Sequence, residues 1–149
     1  MSQKKYLFIS RKSSHYRYYQ KLVSYLGTQA DLIALKKLAW PRFKHWSRVG
    51  DIDIAALTQV HVKRKMVRHP TLFKLPLILP FAHWLFGLIE RCRATYYYEL
   101  FSTTDHSTIV LWNGMKQPNK TPYEVAKLCG KETMLFENGL LPNTTVLDP

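Results

Sequence analysis

Hydrophobic and polar positions along the last third of the chain alternate as strand, turn, helix, strand and turn in unbroken order. Ile109 to Trp112 is a short apolar run of strand-forming residues, and Asn113-Gly114 ends it with a dipeptide that tolerates positive φ. Thr121-Pro122-Tyr123-Glu124 reads as a capping box with proline at the first helical position, the Thr hydroxyl and Glu carboxylate satisfying orphan N–H groups reciprocally. Val125, Leu128 and Cys129 share one face of the helix that follows, and Gly130 stops it. Thr133 to Phe136 then resumes an extended pattern that ends at Glu137-Asn138-Gly139. Strands joined through a helix run parallel with a right-handed crossover, so Asn113 and Glu137 are expected as neighbours at the strands' carboxyl ends. Ligands of open α/β sheets bind outside that edge, which makes the two turns a candidate site. A plainer reading stays open beside it, in which both Asn-Gly pairs are only turn punctuation.

The first half carries a similar rhythm. Tyr6 to Ser10 is an apolar run, Arg11 to His15 a polar loop, and Tyr19, Leu22, Val23 and Leu26 mark one face of a helix ending near Gly27. Leu32 to Leu35 suits a second strand, whereas Pro41 to Gly50 is basic and aromatic without clear period. Asp51 is placed to cap a helix with Ile54, Leu57 and Val60 at helical spacing. The pattern as a whole predicts an α/β fold, a parallel sheet with flanking helices. A chain of 149 residues is ample for one such domain, here residues 1–149.

Leu75 to Ile89 is the most apolar window, but it contains two prolines and a histidine, and it is shorter than the roughly 20 residues that span a bilayer. A buried or interfacial helix beginning after Pro80 is the expectation, apolar almost all round at first and amphipathic later. Met1 to Ser10 lacks the apolar core and cleavage site of a secretory signal, so a cytoplasmic location is expected.

Charge changes the picture through its asymmetry. Residues 1–74 hold 16 Lys or Arg against 3 Asp or Glu, and residues 75–149 hold 6 against 7, so the net +12 belongs to the first half. Such a surface attracts phosphates, whether of anionic lipid, nucleic acid or a nucleotide sugar. Lys, Arg, Tyr and Trp are interleaved from Arg11 to Arg48 as in a strand-binding groove, but no nucleic-acid-binding motif accompanies them, which leaves nucleic acid the less favoured partner. Cys92 and Cys129 lack ligand-spaced partners and the six histidines form no H-x(3)-H pair, so neither a metal nor a bound cofactor is expected. His83, inside an apolar run, reads as structural; His15 follows the first strand, on the same expected edge as Asn113 and Glu137.

Taken together, the Trp112-Asn113-Gly114 strand end, Lys116 two residues on, and PYEVAKLCGKETMLFENGLLPNTTVLDP from Pro122 to Pro149 resemble the capsular polysaccharide biosynthesis and export family of Gram-negative bacteria. That family includes retaining β-Kdo glycosyltransferases, and the likeness covers about a quarter of the chain, Ile109 to Pro149. It implies a Rossmann-like half of a two-domain GT-B-type enzyme that moves Kdo from CMP-Kdo to a lipid-linked glycan acceptor at the inner face of the cytoplasmic membrane. On that expectation the chain is an amino-terminal half lacking its second domain, inactive alone and peripheral at an anionic inner-membrane surface.

The residues expected at the site follow from both lines. Retaining transfer calls for a carboxylate at the anomeric centre and a second group for the acceptor's proton, and Glu137 and Asp148 are the candidates. Arg11, His15, Asn113, Gly114, Lys116, Asn138 and Gly139 are the expected substrate-binding positions. Two alternatives stay open: Glu137 as a carboxylate that only holds its own turn, and the whole chain as a non-catalytic basic module that binds anionic lipid or nucleic acid.

Overall fold

A computed structural model describes residues 5–34, 47–114, 119–138 and 145–148. Its centre is two strands, β1 (Tyr6–Ser10) and β3 (Thr108–Trp112), whose residues are almost all buried, as befits apolar runs covered on both faces. The sheet order is β2-β1-β3-β4-β5, with β2 at Ala30–Ala34, β4 at Glu132–Asn138 and β5 at Thr145–Asp148. The first four strands are mutually parallel and β5 is antiparallel to β4. This is the Rossmann-like α/β architecture that the alternation of elements predicts.

Helices cover both faces. From Ser13–Leu26, α1 lays Tyr19 against Phe8, Ala30 and Val110 on one side. On the other side lie α2 (Ile54–Arg68), α3 (Ile78–Thr103) and α4 (Lys120–Leu128). Leu57, Ala94, Tyr97, Phe101, Val125 and Ala126 pack there on Leu7, Ile9, Ile109, Leu111 and Leu135. Strand alternation explains the division, since odd and even neighbours along β1 and β3 point to opposite faces. No helix among the described residues is long and apolar enough to cross a membrane.

Several boundaries move from where the sequence sets them. α1 starts at Ser13, so the expected loop shrinks to Arg11-Lys12 and His15 lies in the helix's first turn. Asp53, not Asp51, caps α2, its Oδ1 accepting from Ala56 N–H at 2.8 Å. α3 begins two residues before Pro80, and the proline is tolerated in the first turn, where its missing N–H has no intrahelical partner. In α4, Asn119 occupies the cap position and Thr121 is already helical; its hydroxyl donates to a carboxylate on α3, as described below, instead of capping its own helix. The stop at Gly130 holds: φ is +65°, and Gly130 N–H and Lys131 N–H return to the carbonyls of Lys127 and Ala126. Leu35 and Pro41 to Trp46 lie outside the described residues.

Candidate functional site at the carboxyl edge of the sheet

From β1 the chain winds outward to β2, returns across to β3 and then winds the other way to β4. The β1–β3 boundary is therefore the topological switch point, the place beyond the strand ends where open α/β sheets take their ligands. Register fixes what stands there. Trp112 pairs with Phe136, so Asn113 and Glu137 stand at adjacent strand ends, while the β1–β3 pairing stops at Phe8–Val110 and Arg11 follows directly on the end of β1. Asn113 N–H donates to Phe136 O at 2.8 Å, which ties the β3 and β4 ends together. Two-residue alternation within β4 puts Glu137 on the face of Leu135, the side covered by α3 and α4, and the contact of Arg11 with Tyr97 of α3 holds Arg11 on that side as well.

The turn after β3 is built differently from the expectation. Asn113, not Gly114, takes the positive φ, at 54°, a conformation Asn tolerates. Gly114 gives room: a Cβ there would stand 2.6 Å from Leu135 Cδ2 and 3.3 Å from Tyr123 Cδ2, so the leucine would have to move. Asn119 Nδ2 donates to Trp112 O and pins the start of α4 to the end of β3. Asn113 Oδ1 is buried without a hydrogen-bond partner.

Beneath these strand ends lies a buried polar cluster. Glu90 on α3 is 0 % exposed. Its Oε1 accepts from Arg93 Nη1 at 2.5 Å and from His61 Nδ1 of α2 at 2.7 Å, and its Oε2 accepts from Thr121 Oγ1 of α4 at 2.5 Å. Because an ionised carboxylate only accepts, His61 must carry its proton on Nδ1. The 3.5 Å approach of Arg93 Nη1 to that nitrogen is then two donors side by side, not a hydrogen bond. Burial pushes the Glu90 carboxyl up, but the hydrogen bond from His61, the Arg93 charge and the Thr121 hydroxyl together outweigh it and hold it below the usual carboxylate range. Arg11 reaches into the same cluster and donates to the Tyr97 hydroxyl; desolvation lowers the guanidinium's pKa. Burial in turn pushes the Tyr97 phenol up to about 12, against the opposing pull of Arg11 and Arg93. Arg11 is thus held by Tyr97 of α3 just past the end of β1.

The remaining expected residues separate. His15 is at the same edge but on the opposite face, its ring stacked on Trp112 at 4.1 Å, so the sheet stands between it and Arg11 and Glu137. Burial and the nearby Lys12 charge lower its pKa. Glu137 is inside β4, paired with Val146, where the sequence pattern ends the strand at Phe136; the antiparallel β5 prolongs the ladder. Asp148 pairs with Leu135, two strand positions or about 7 Å below Val146, and so sits back from the edge. Asn138 is the last residue of β4, level with Thr145. Lys116 and Gly139 lie outside the described residues.

Glu90, Arg93, His61 and Tyr97 are absent from the sequence reading, although a signal for one of them exists. Glu90, Ala94, Tyr97 and Phe101 recur at helical spacing along the buried stripe of α3, so a carboxylate on that stripe had to find partners. A separate open groove of about 640 Å³ between α2 and α3, lined by Asp53, Thr58, Gln59, His83, Gly87 and Arg91, contains none of the expected site residues. Among the described residues no three His, Cys, Asp or Glu side chains gather as a metal ion would need. Compared with known proteins, the chain matches no family model, no curated protein and no solved structure.

Proposed function

We propose that the carboxyl edge of the sheet binds a nucleotide-activated sugar and that the chain contributes this donor-binding edge to a glycosyltransferase of the capsular polysaccharide type. The observation that carries the reading is that Arg11, Asn113 and Glu137 all stand at the carboxyl ends of β1, β3 and β4 around the switch point. A guanidinium suits a phosphate oxygen, the Asn amide suits sugar or base hydroxyls and carbonyls, and a carboxylate at the same edge stands where an anomeric carbon could be stabilised or a proton taken. The likeness of Ile109 to Pro149 to the family of retaining β-Kdo transferases narrows the donor to CMP-Kdo and the acceptor to a lipid-linked glycan. Work on such an acceptor sets the protein at the inner face of the cytoplasmic membrane, and the basic first half of the chain supports that location.

The roles divide by position. Arg11, braced by Tyr97, takes the donor phosphate, and Asn113 orients the ligand. Glu137 acts on the reacting centre, whereas Asp148, set back from the edge, takes a supporting part at most. Calorimetric titration of the chain with CMP-Kdo and with CMP tests this. Saturable binding of both, weakened at least tenfold by Arg11→Ala and left nearly intact by Glu137→Gln, is expected, since one charge-assisted contact is worth about 1.5–3 kcal/mol. Absence of binding to either ligand removes the proposal.

A further inference from the structure

Helix α2 ends, and α3 begins, in a surface unlike the rest of the molecule. Of the ten large apolar residues exposed among the described ones, eight fall between Met66 and Trp84. Val67, Leu75, Leu77, Phe81 and Trp84 are each 55 to 80 % exposed. Val67 lies in the last turn of α2, Leu75 and Leu77 in the link that follows the 3-10 turn at Leu72–Lys74, and Phe81 and Trp84 in the first two turns of α3, their rings 5.9 Å apart. Soluble proteins scatter exposed apolar residues singly; a cluster of this kind marks a surface made to be covered.

The charge around the cluster selects the cover. From Ile54 to Ile89 there is no Asp or Glu, whereas Lys63, Arg64, Lys65, Arg68 and Lys74 flank the apolar residues. Lys65 and Arg68 also complement the carboxyl end of α2, which explains those two cations but not the apolar residues beside them. A second copy of the chain would bring the same cations against themselves on a molecule of net charge +12. Nucleic acid would find only the Phe81 and Trp84 rings to stack on, among six exposed Met, Val and Leu side chains that offer its bases nothing.

We infer that this α2–α3 tip docks on an anionic lipid bilayer, its leucines and Phe81 and Trp84 entering the boundary between headgroups and acyl chains while Lys63, Arg68 and Lys74 lie among the headgroups. Tryptophan is suited to that boundary, since its ring is apolar and its N–H stays wet. The inference gives the membrane location proposed above a structural element but uses neither the donor edge nor any transfer chemistry, so the two stand or fall separately.

Vesicle flotation and tryptophan quenching test it. The chain is expected to float with vesicles of equal parts phosphatidylglycerol and phosphatidylcholine and not with phosphatidylcholine alone, and to dissociate as salt rises. Brominated acyl chains should quench its fluorescence, and Trp84→Phe should remove most of that quenching while binding persists. Leu77→Ser with Trp84→Ser should lower partition at least tenfold, and each of Lys63→Gln, Arg68→Gln and Lys74→Gln should lower it about fivefold. Arg11→Ala should leave partition unchanged, even if it abolishes nucleotide binding. Failure to float, equal flotation with neutral vesicles, or flotation indifferent to the tip substitutions would each overturn the inference. So would a chain whose tip residues are needed instead for self-association or for binding an oligonucleotide.

Discussion

Replacing Glu90 by Gln isolates the charge at the centre of the α2–α3–α4 contact while keeping its shape. In the native cluster one carboxylate offsets Arg93 and fills the hydrogen-bonding needs of His61 and Thr121. Glutamine leaves Arg93 without a counter-charge and turns an N–H₂ group toward one of three donors. Removing one partner of a buried ion pair costs about 3–5 kcal/mol, and because His61 keeps 12 % of its side chain exposed to water the lower end, about 3 kcal/mol, is the better figure. With a urea slope of about 2 kcal/mol per M, the unfolding midpoint should fall by about 1.5 M. The acid side supplies a second signature. Glu90 has a folded pKa below its unfolded value of about 4.3, so the unfolded state binds more protons in that interval, and stability rises with pH there. The wild type should therefore lose this increment as pH falls from about 4.3 through the lower folded value, and Glu90→Gln should lack that component. Adding Arg93→Met to Glu90→Gln should recover part of the loss, because the stranded cation goes with it. A midpoint shift under about 0.5 M, with the acid-side profile unchanged, would refute the assignment of the cluster as a tie between the three helices.

Gly114→Ala should destabilise by about 1–3 kcal/mol by forcing Leu135 from its place, and a variant as stable as wild type in chemical denaturation would contradict the close approach. Phe101→Ala, emptying a site that is 0 % exposed, should lose about 3–5 kcal/mol; a smaller loss would mean that the α3–sheet contact can collapse around the gap. The His15 ring should titrate below its ordinary value of about 6.5, seen by NMR, and the stability tied to its neutral form should be lost as pH falls through that interval. A midpoint at or above 6.5 would contradict its burial against Trp112.

The order of elements was legible because each signal was local and strong. Apolar runs at Tyr6 to Ser10 and Ile109 to Trp112, Gly27 and Gly130 at helix ends, and the crossover rule together define a parallel sheet. The Asn113–Glu137 neighbourhood followed from the crossover alone. What escaped was tertiary. Thr121 has the sequence context of a helix cap, yet α4 starts one residue earlier, at Lys120, so Thr121 is already inside the helix and its hydroxyl is left to donate to the Glu90 carboxylate of α3. Nothing local distinguishes Asp51 from Asp53 as a cap; the buried Ile52 between them decides which Asp faces the helix start. His15 was expected at the site because it follows a strand, but α1 starts so early that the ring turns to the other face and stacks on Trp112. The antiparallel β5 gave no signal beyond three strand-forming residues, and without it Glu137 looks like a turn residue.

The grouping of Arg11, Asn113 and Glu137 as a donor site is tested most directly by mapping where CMP-Kdo acts on the amide NMR spectrum of the labelled chain. The largest shifts are expected at Ser10 to Lys12, Trp112 to Gly114 and Glu137, fading in Arg11→Ala. Shifts centred instead on the groove at Gln59, His83 and Arg91, or a spectrum that does not change, would contradict it.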